Sequence, residues 1–415
     1  MSSPVAPPPV QTGAAVPFWE FVALTAALMA INALGIDTML PALPAMAGSL
    51  GLSHENQQQW IISSYMLGMG TMQIVYGPLA DRFGRRPVTL FGLGLFAAMS
   101  LFASFATSFE AMIVARVLQG TGAACTRVLS VAMVRDSYSG RQMARVMSLS
   151  FMIFLAVPML APAVGQLILT VAPWPGIFYV LGGLSAAIAL WLGLRLGETL
   201  HPEYRRSIDL RQIAAGWRMV LTNRTSLGYT LGLTCSFGAL TGFITSAQQL
   251  FSVTFDAQER FPLIFAFVAS AMGFAAFVNS RVVVKLGTRM VSHTALLVLI
   301  TIGAVHLVTF ELFGDSLTSF VLFQFAVMFC AGLLGSNFGA MAMEPMGAIA
   351  GTASSLQGAV STAGGALFGI AIGQNFDGTP RALIMGYFLC GLLMLAAVLF
   401  AERGRMFRAH HSPQG

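Results

Sequence analysis

Charge is what this chain has least of. Only 9% of its 415 residues are charged while 56% are hydrophobic, and its mean hydropathy is +0.77. A soluble domain carries ~25% charged residues, so a water-soluble globule is excluded. Cysteine is scarce too. Cys125, Cys235, Cys330 and Cys390 all sit inside apolar runs, with no CxxC and no histidine at metal-ligand spacing, which leaves buried thiols rather than a disulfide framework or metal site. His54, His201, His293, His306, His410 and His411 are scattered, and no serine, histidine and aspartate set is visible, which speaks against an enzyme. Nothing resembles an output domain, which speaks against a membrane sensor or scaffold. Residues 1–17, rich in Pro, Ala and Val, lack a basic region and a cleavage site; a disordered cytoplasmic tail is expected there, not a signal peptide. The net charge of +6 comes almost wholly from arginines at the ends of apolar runs. That pattern reports membrane topology and gives no nucleic-acid patch.

What is present is about twelve apolar runs, each near the roughly 20 residues that a span requires. The predicted spans are 19–40, 59–76, 88–106, 109–134, 147–171 and 176–196, then 227–251, 261–284, 291–313, 319–341, 352–372 and 382–401. The fold class expected is an all-α membrane protein with 12 transmembrane helices in two six-helix halves. The halves are 18–196 and 225–401, joined by a cytoplasmic linker over 197–224 and followed by a cytoplasmic tail over 402–415. The linker carries Arg205, Arg206, Arg211, Arg218 and Arg224. Within it 209–221 reads either as an amphipathic interfacial helix anchored by Trp217 or as a solvated linker. Both termini are expected on the cytoplasmic side, because only Arg260 and Arg381 fall in loops on the other.

Between the second and third runs lies a charged island, Gly77-Pro78-Leu79-Ala80-Asp81-Arg82-Phe83-Gly84-Arg85-Arg86-Pro87. Arg82, Arg85 and Arg86 so close together predict a tight cytoplasmic turn. Gly77 and Gly84 would allow the reversal, and Pro87 suits the start of the next helix. Asp81 is either a local ion-pair partner or a carboxylate that docks on the cytoplasmic N-terminus of the eleventh helix and latches the halves together. Val284-Lys285-Leu286-Gly287-Thr288-Arg289 is a worn copy lying 203 residues on (284 minus 81), with Val284 where the acid was.

The order Gly-x-Leu-x-Asp-Arg-x-Gly-Arg-Arg resembles the loop signature of the major facilitator superfamily, and the displaced copy is similar to that family's parallel repeat, with the site expected between the halves near the midplane. Ionisable residues inside spans are few, and each costs at least ~2.5 to 3.5 kcal/mol at the bilayer centre. Asp37 falls about one turn before the helix-breaking Pro41 and Pro44; Arg116 lies at similar depth in the fourth span, so the two could pair. Gln119, three residues on, shares the face of Arg116. Arg127, eleven residues after Arg116, either lines the cavity or points to the cytoplasm. Glu20, Glu311 and Glu344 lie at span ends and are expected in interfacial water.

Asp37-Thr38-Met39-Leu40-Pro41-Ala42-Leu43-Pro44 is similar to the first-helix hallmark of the Bcr/CflA branch of drug/proton antiporters. Ala350 to Leu356 resembles that branch's eleventh-helix motif, and Arg116-x-x-Gln119-Gly120 the superfamily's fourth-helix motif. Pro158, Pro162 and Gly165 look like the fifth-helix antiporter motif, with departures at Ala161 and Gln166 where the motif has glycine. The resemblance implies proton-coupled export of lipophilic drugs by a monomer in a bacterial inner membrane, with the proton as coupling ion and no other cofactor. It implies a proton-coupling role for Asp37 and Arg116. A dedicated exporter of one sugar or amino acid is the alternative, and the scarcity of polar residues in the spans favours the drug exporter. Tyr65, Phe154, Tyr229, Phe237 and Phe265 are the aromatics expected with Asp37 and Gln119 around an apolar cavity, although phenylalanine is so abundant that packing explains any one of them equally well.

Overall fold

A computed structural model describes residues 16–205 and 207–407. Nearly all of the expected tail at 1–17, together with Arg206 and residues 408–415, lies outside the described residues. Twelve helices of at least 20 residues follow in order: α1 (Phe18–Asp37), α2 (Gln59–Phe83), α3 (Arg85–Ser104), α4 (Phe109–Ser137), α5 (Gly140–Val171), α6 (Pro175–Arg195), α7 (Arg224–Gln249), α8 (Phe261–Leu286), α9 (Thr288–Phe313), α10 (Leu317–Met343), α11 (Ala350–Gly373) and α12 (Arg381–Ala401). Among the described residues there is no strand. Ten stretches are long and apolar enough to cross a membrane. One of them, Leu317–Gly373, contains both α10 and α11, while α2 is not among the ten. The polar Gln59, Ser63, Ser64 and Gln73 of α2 are buried against neighbouring helices instead of facing lipid.

The helices form two groups, α1–α6 and α7–α12. Inside the first, α4 packs on α2 and α3, α3 on α6, and α1 on α5; inside the second, α7 packs on α10, α11 and α12, and α10 on α8 and α9. The groups meet chiefly where α2 runs beside α11 and α5 beside α8. Small residues allow these approaches. A Cβ at Gly68 would come within 2.1 Å of the Val117 carbonyl oxygen, and one at Gly70 within 2.5 Å of the Ala363 nitrogen across the seam between groups.

The internal repeat is visible in the backbone. Gly84 (φ 102°, ψ 156°) precedes α3 and Gly287 (φ 81°, ψ 156°) precedes α9. Each group also ends on a carboxylate that returns to this turn. Glu198, after α6, accepts from the backbone N–H of Arg85 at 2.8 Å and of Arg86 at 3.2 Å; Glu402, after α12, accepts from Arg289 Nε at 2.7 Å.

The charged island departs from its expected shape. It is not a loop, because α2 continues through Pro78 to Phe83 and the whole reversal is made at Gly84. Unwinding in hydrocarbon would bare several backbone groups, whereas Pro78 forgoes a single hydrogen bond. Gly77 is therefore a helical residue with open space around it. In the same way Pro41 and Pro44 do not end the first membrane passage. Each stands in the first turn of a new helical piece, Leu40–Ala42 and Leu43–Ser49, where proline is tolerated. Pro158 and Pro162 stay inside an unbroken α5. The linker helix forms over Leu210–Thr222, capped by Asp209, whose carboxylate accepts from the N–H of Arg211 at 2.9 Å. Its Val220 and Trp217 pack on Met346, Ala353 and Leu356, so it lies against α11 and is not a solvated strand of chain.

This geometry separates two glycines of one motif. Gly84→Ala should lower stability by ~1 to 3 kcal/mol, because its φ is in the left-handed region and its Cβ would sit 2.3 Å from Glu198 Oε2. Gly77→Ala, in open helix, should be neutral or stabilising by up to ~1 kcal/mol. Thermal unfolding of the detergent-purified variants measures both; equal effects would contradict the assigned turn.

Candidate transport site

Arg116 is fully buried in α4, where a guanidinium without answered donors is very costly. Its Nε donates to the Ile61 carbonyl at 2.8 Å, Nη2 to the Gly35 carbonyl at 2.9 Å, and Nη1 to Gln119 Oε1. Gln119 Nε2 donates in turn to Ser100 Oγ at 2.6 Å, and the guanidinium lies 4.3 Å from the centre of the Tyr65 ring. One arginine thus ties α1, α2, α3 and α4 together. The expected Asp37–Arg116 pair is not formed: the guanidinium's donors go to two main-chain carbonyls and an amide.

Asp37 is only 4% exposed, its Oδ1 has no hydrogen-bond partner, and it makes no ion pair among the described residues. Because the passage continues to Ser49, the carboxyl lies about 18 Å from its end at 1.5 Å per residue, deeper than the sequence suggested. Gly165 of α5 fixes this place. A Cβ there would be 1.8 Å from the Thr38 carbonyl oxygen and 3.2 Å from Pro41, so α1 and α5 touch directly beside Asp37.

Nearer the middle of the bundle a second polar group crosses between the halves. Gln73 Nε2 donates to Thr362 Oγ1 at 3.2 Å, and Arg127 Nη1 donates to the same oxygen at 3.3 Å. Arg127 also lies 5.6 Å from the centre of the Phe237 ring. Its side chain therefore points to the seam between the halves and not to the cytoplasmic end of its helix. Asn32 of α1 donates to Thr126 of α4 at 2.6 Å. Asn32 and Gln73 carried a sequence signal, as polar residues in mid-span; Thr126 and Thr362 carried none, because hydroxyls return to their own helix cheaply in any span.

Towards the other side of the bundle the halves are joined by neutral amides. Gln59 donates to Gln249 at 2.6 Å, Gln249 to Asn56 Oδ1 at 3.0 Å, Gln374 to the Asn56 carbonyl at 2.7 Å, and Asn56 to the Phe376 carbonyl at 2.8 Å. Among the described residues every hydrogen bond between the halves lies here or at Thr362. In the adjoining loop the Thr379 hydroxyl, at 2.6 Å, holds the Asp377 carboxyl below its usual range. The opposite ends carry charge within each half instead. Asp81 pairs with Arg85 at 2.6 Å and Arg85 with Asp136 at 2.9 Å. Asp81 therefore takes its local reading here, and among the described residues it makes no hydrogen bond to the start of α11.

Several expected cavity residues sit elsewhere. Tyr229 is fully buried five residues into α7, donating to Glu402 at 2.6 Å beside His293 at 3.1 Å, in a polar cluster that also binds Arg289. It cannot also line a midplane cavity. Phe265 stacks on Phe243 at 5.6 Å and meets the tilted ring of Phe261 at 5.7 Å near the start of α8, as core packing. Phe154 is half-buried against Phe151 at 5.5 Å. Glu20, Glu311 and Glu344 each meet an arginine, Arg195, Arg381 and Arg289. Among the described residues no three His, Cys, Asp or Glu side chains gather as a metal site would require.

If Asp37 and Arg116 are independent, a double-mutant cycle between Asp37→Asn and Arg116→Gln, read by thermal unfolding in detergent, should give a coupling below ~0.5 kcal/mol. Arg116→Gln alone should cost ~2 to 5 kcal/mol, since it strands two buried carbonyls. A coupling above 1 kcal/mol would restore the direct pair.

Comparison with known proteins agrees with this architecture. The family model described as Major Facilitator Superfamily matches residues 25–369. A bicyclomycin resistance protein homolog of Haemophilus influenzae is 30% identical over 387 residues, covering 92% of this chain and 95% of that protein. The multidrug resistance protein MdtL of Shewanella oneidensis is 30% identical over 80% of this chain and 83% of its own. Among solved structures, the human organic anion transporter MFSD10 superposes with a TM-score of 0.68 at 17% identity, over 93% of this chain and 100% of that one. A bacterial homolog of the human lysosomal transporter Spinster, inward-facing and unoccupied, gives 0.67 at 18% identity over 94% and 95%. The chain belongs to the major facilitator superfamily, in the Bcr/CflA-type branch that its first-helix and eleventh-helix motifs resemble.

Proposed function

We propose that this transporter exports lipophilic drugs from the cytoplasm across a bacterial inner membrane in exchange for protons, with both termini cytoplasmic. The relatives named for bicyclomycin and multidrug resistance support the substrate class. The observation that carries the coupling is Asp37: a buried carboxyl at the end of α1 with an unpartnered oxygen, two residues from the carbonyl that Arg116 holds. A carboxylate inside the bilayer is sustained only when a partner or a proton answers its charge. A proton arriving from outside neutralises Asp37 and lets its half rock towards the other state; release of that proton to the cytoplasm resets the charge for the next molecule, so proton and cargo move in opposite directions. Arg116 acts as the fixed point of this cycle, through the backbone of α1, and not as the alternating partner of the acid.

Closure on the amide side, with no hydrogen bond between halves at the charged side among the described residues, supports an arrangement open to the cytoplasm. Between the two ends, the hydrogen bonds that cross the halves among the described residues all fall on Thr362, so rocking of one half against the other breaks few of them.

Expression in an efflux-deficient host, with a panel of antibiotics and dyes, tests the reading. The wild-type protein should protect against several lipophilic compounds, and Asp37→Asn should lose at least ten-fold of that protection at equal membrane abundance. Protection by Asp37→Asn at the wild-type level would sink the coupling role. For topology, a cysteine at Ser53 or Thr379 should react with an impermeant thiol reagent added outside intact cells and one at Glu203 should not; the reverse labelling would invert the direction of export.

A further inference from the structure

Arg127 is the residue that the coupling scheme leaves unused. It stands at the seam between the halves, half-buried, and among the described residues it makes no ion pair. Its two neighbours across the seam are central in their helices. Thr362 is the thirteenth of the 24 residues of α11, and Phe237 the fourteenth of the 26 residues of α7. The trio therefore lies at mid-depth, between the two halves, where a transporter of this architecture holds its cargo. A guanidinium carries five N–H donors in a planar fork. Only Nη1 is engaged, on Thr362, and none of the other nitrogens is among the buried polar atoms lacking a partner, so they face accessible space. This is the opposite of Arg116, whose donors are spent on carbonyls and an amide.

The surroundings are chemically selective. A planar cation with free donors recognises a carboxylate or phenolate in bidentate fashion, and it does so most strongly away from water. Phe237, already under the guanidinium at 5.6 Å, offers an aromatic face next to that charge. Gln73, sharing Thr362 Oγ1 with Arg127, supplies an amide beside it. No acid faces the group from α7 or α11, the helices that carry Phe237 and Thr362, since neither contains Asp or Glu, and the one acid of α2, which carries Gln73, is Asp81 at its far end, paired with Arg85. On its own helix Glu110 and Asp136 lie at the two ends, the latter paired with Arg85; on α1 Glu20 is paired with Arg195, and Asp37 is the buried acid there.

We infer that Arg127, with Phe237 and Thr362, is the anion-recognising corner of the transport site, and that the preferred cargo is a lipophilic aromatic molecule bearing an acidic group. This deepens the export reading above and rests on it. It assigns Arg127 a specificity role separate from the proton chemistry at Asp37. Removing the cation should therefore change which cargo binds.

Binding of 1-pyrenebutyrate and of its methyl ester to the full-length, detergent-purified transporter separates charge from lipophilicity, because the two probes share one aromatic body. Wild type should prefer the acid to the ester by about ten- to a hundred-fold, the range of a hydrogen-bonded charged contact. Arg127→Gln should reduce that ratio to about one while keeping ester affinity within about two-fold, which also shows the variant to be folded; Arg127→Lys should keep part of the preference. Equal affinity of wild type for acid and ester overturns the inference and leaves drug export standing. An acid-to-ester ratio unchanged in Arg127→Gln does the same. Wild type that binds neither probe overturns both the inference and the lipophilic-cargo reading, whereas the Asp37→Asn protection test remains a separate measure of coupling.

Discussion

The first half of this protein is built around the demand of one buried guanidinium. Arg116 enters a region from which water is excluded, so its donors must be met in place, and two of them are met by main-chain carbonyls on α1 and α2. Carbonyls can approach so closely only where side chains are missing. A Cβ on Gly35 would press within 2.8 Å of Tyr65 Oη, and one on Gly120 within 2.0 Å of the Tyr65 carbonyl oxygen. The cation, the ring beneath it and the two glycines form a single constraint. It fixes α1 next to α4, which sets the depth of Asp37 and leaves its carboxyl to find no partner of its own.

From that fixed point the polar groups sort by level. The linked ion pairs gather at one end of each half, as Asp81–Arg85–Asp136 and as Arg289 with Glu344 and Glu402, while the single pair Glu311–Arg381 stands at the amide end of the second half. They lie within a half, so they stiffen it as a rigid unit. The bonds between halves are of a different kind, made by neutral amides at one end and by Thr362 at the middle. Amide pairs exchanged for water cost little net free energy, roughly 1 kcal/mol each. Rigid halves joined by exchangeable contacts are what alternating access requires, and this chain assigns charge to the first task and amides to the second.

Much of this was legible in the sequence. The spans followed from apolar run length, and the Gly84 and Gly287 turns followed from a repeat displaced by 203 residues. What misled was proline. Pro41 and Pro44 read as breaks and the island around Pro78 as a turn, yet in a bilayer the cost of baring backbone exceeds the cost of one lost bond, so helices restart or run on. That error placed Asp37 too near its end and suggested a partner at matching depth. Pairing was the second difficulty: the sequence shows which groups are charged, but Arg116 is answered by carbonyls of Gly35 and Ile61, and no residue type announces a main-chain acceptor. Tyr229 and Phe265 misled for a third reason, since composition gives no sign of whether an aromatic faces the seam or its own half. The partners of Arg127 lie 235 residues away in Thr362 and on another helix in Phe237, a juxtaposition that only the packing of α2 against α11 creates.

The central claim is that Asp37 is the group whose protonation changes during the cycle while Arg116 stays fixed. Infrared difference spectroscopy of the lipid-reconstituted protein across a pH titration addresses it without a substrate. The account predicts a band from a protonated, buried carboxyl that titrates in the wild-type protein, persists in Glu20→Gln, and is missing from Asp37→Asn. An identical band in wild type and Asp37→Asn would contradict it.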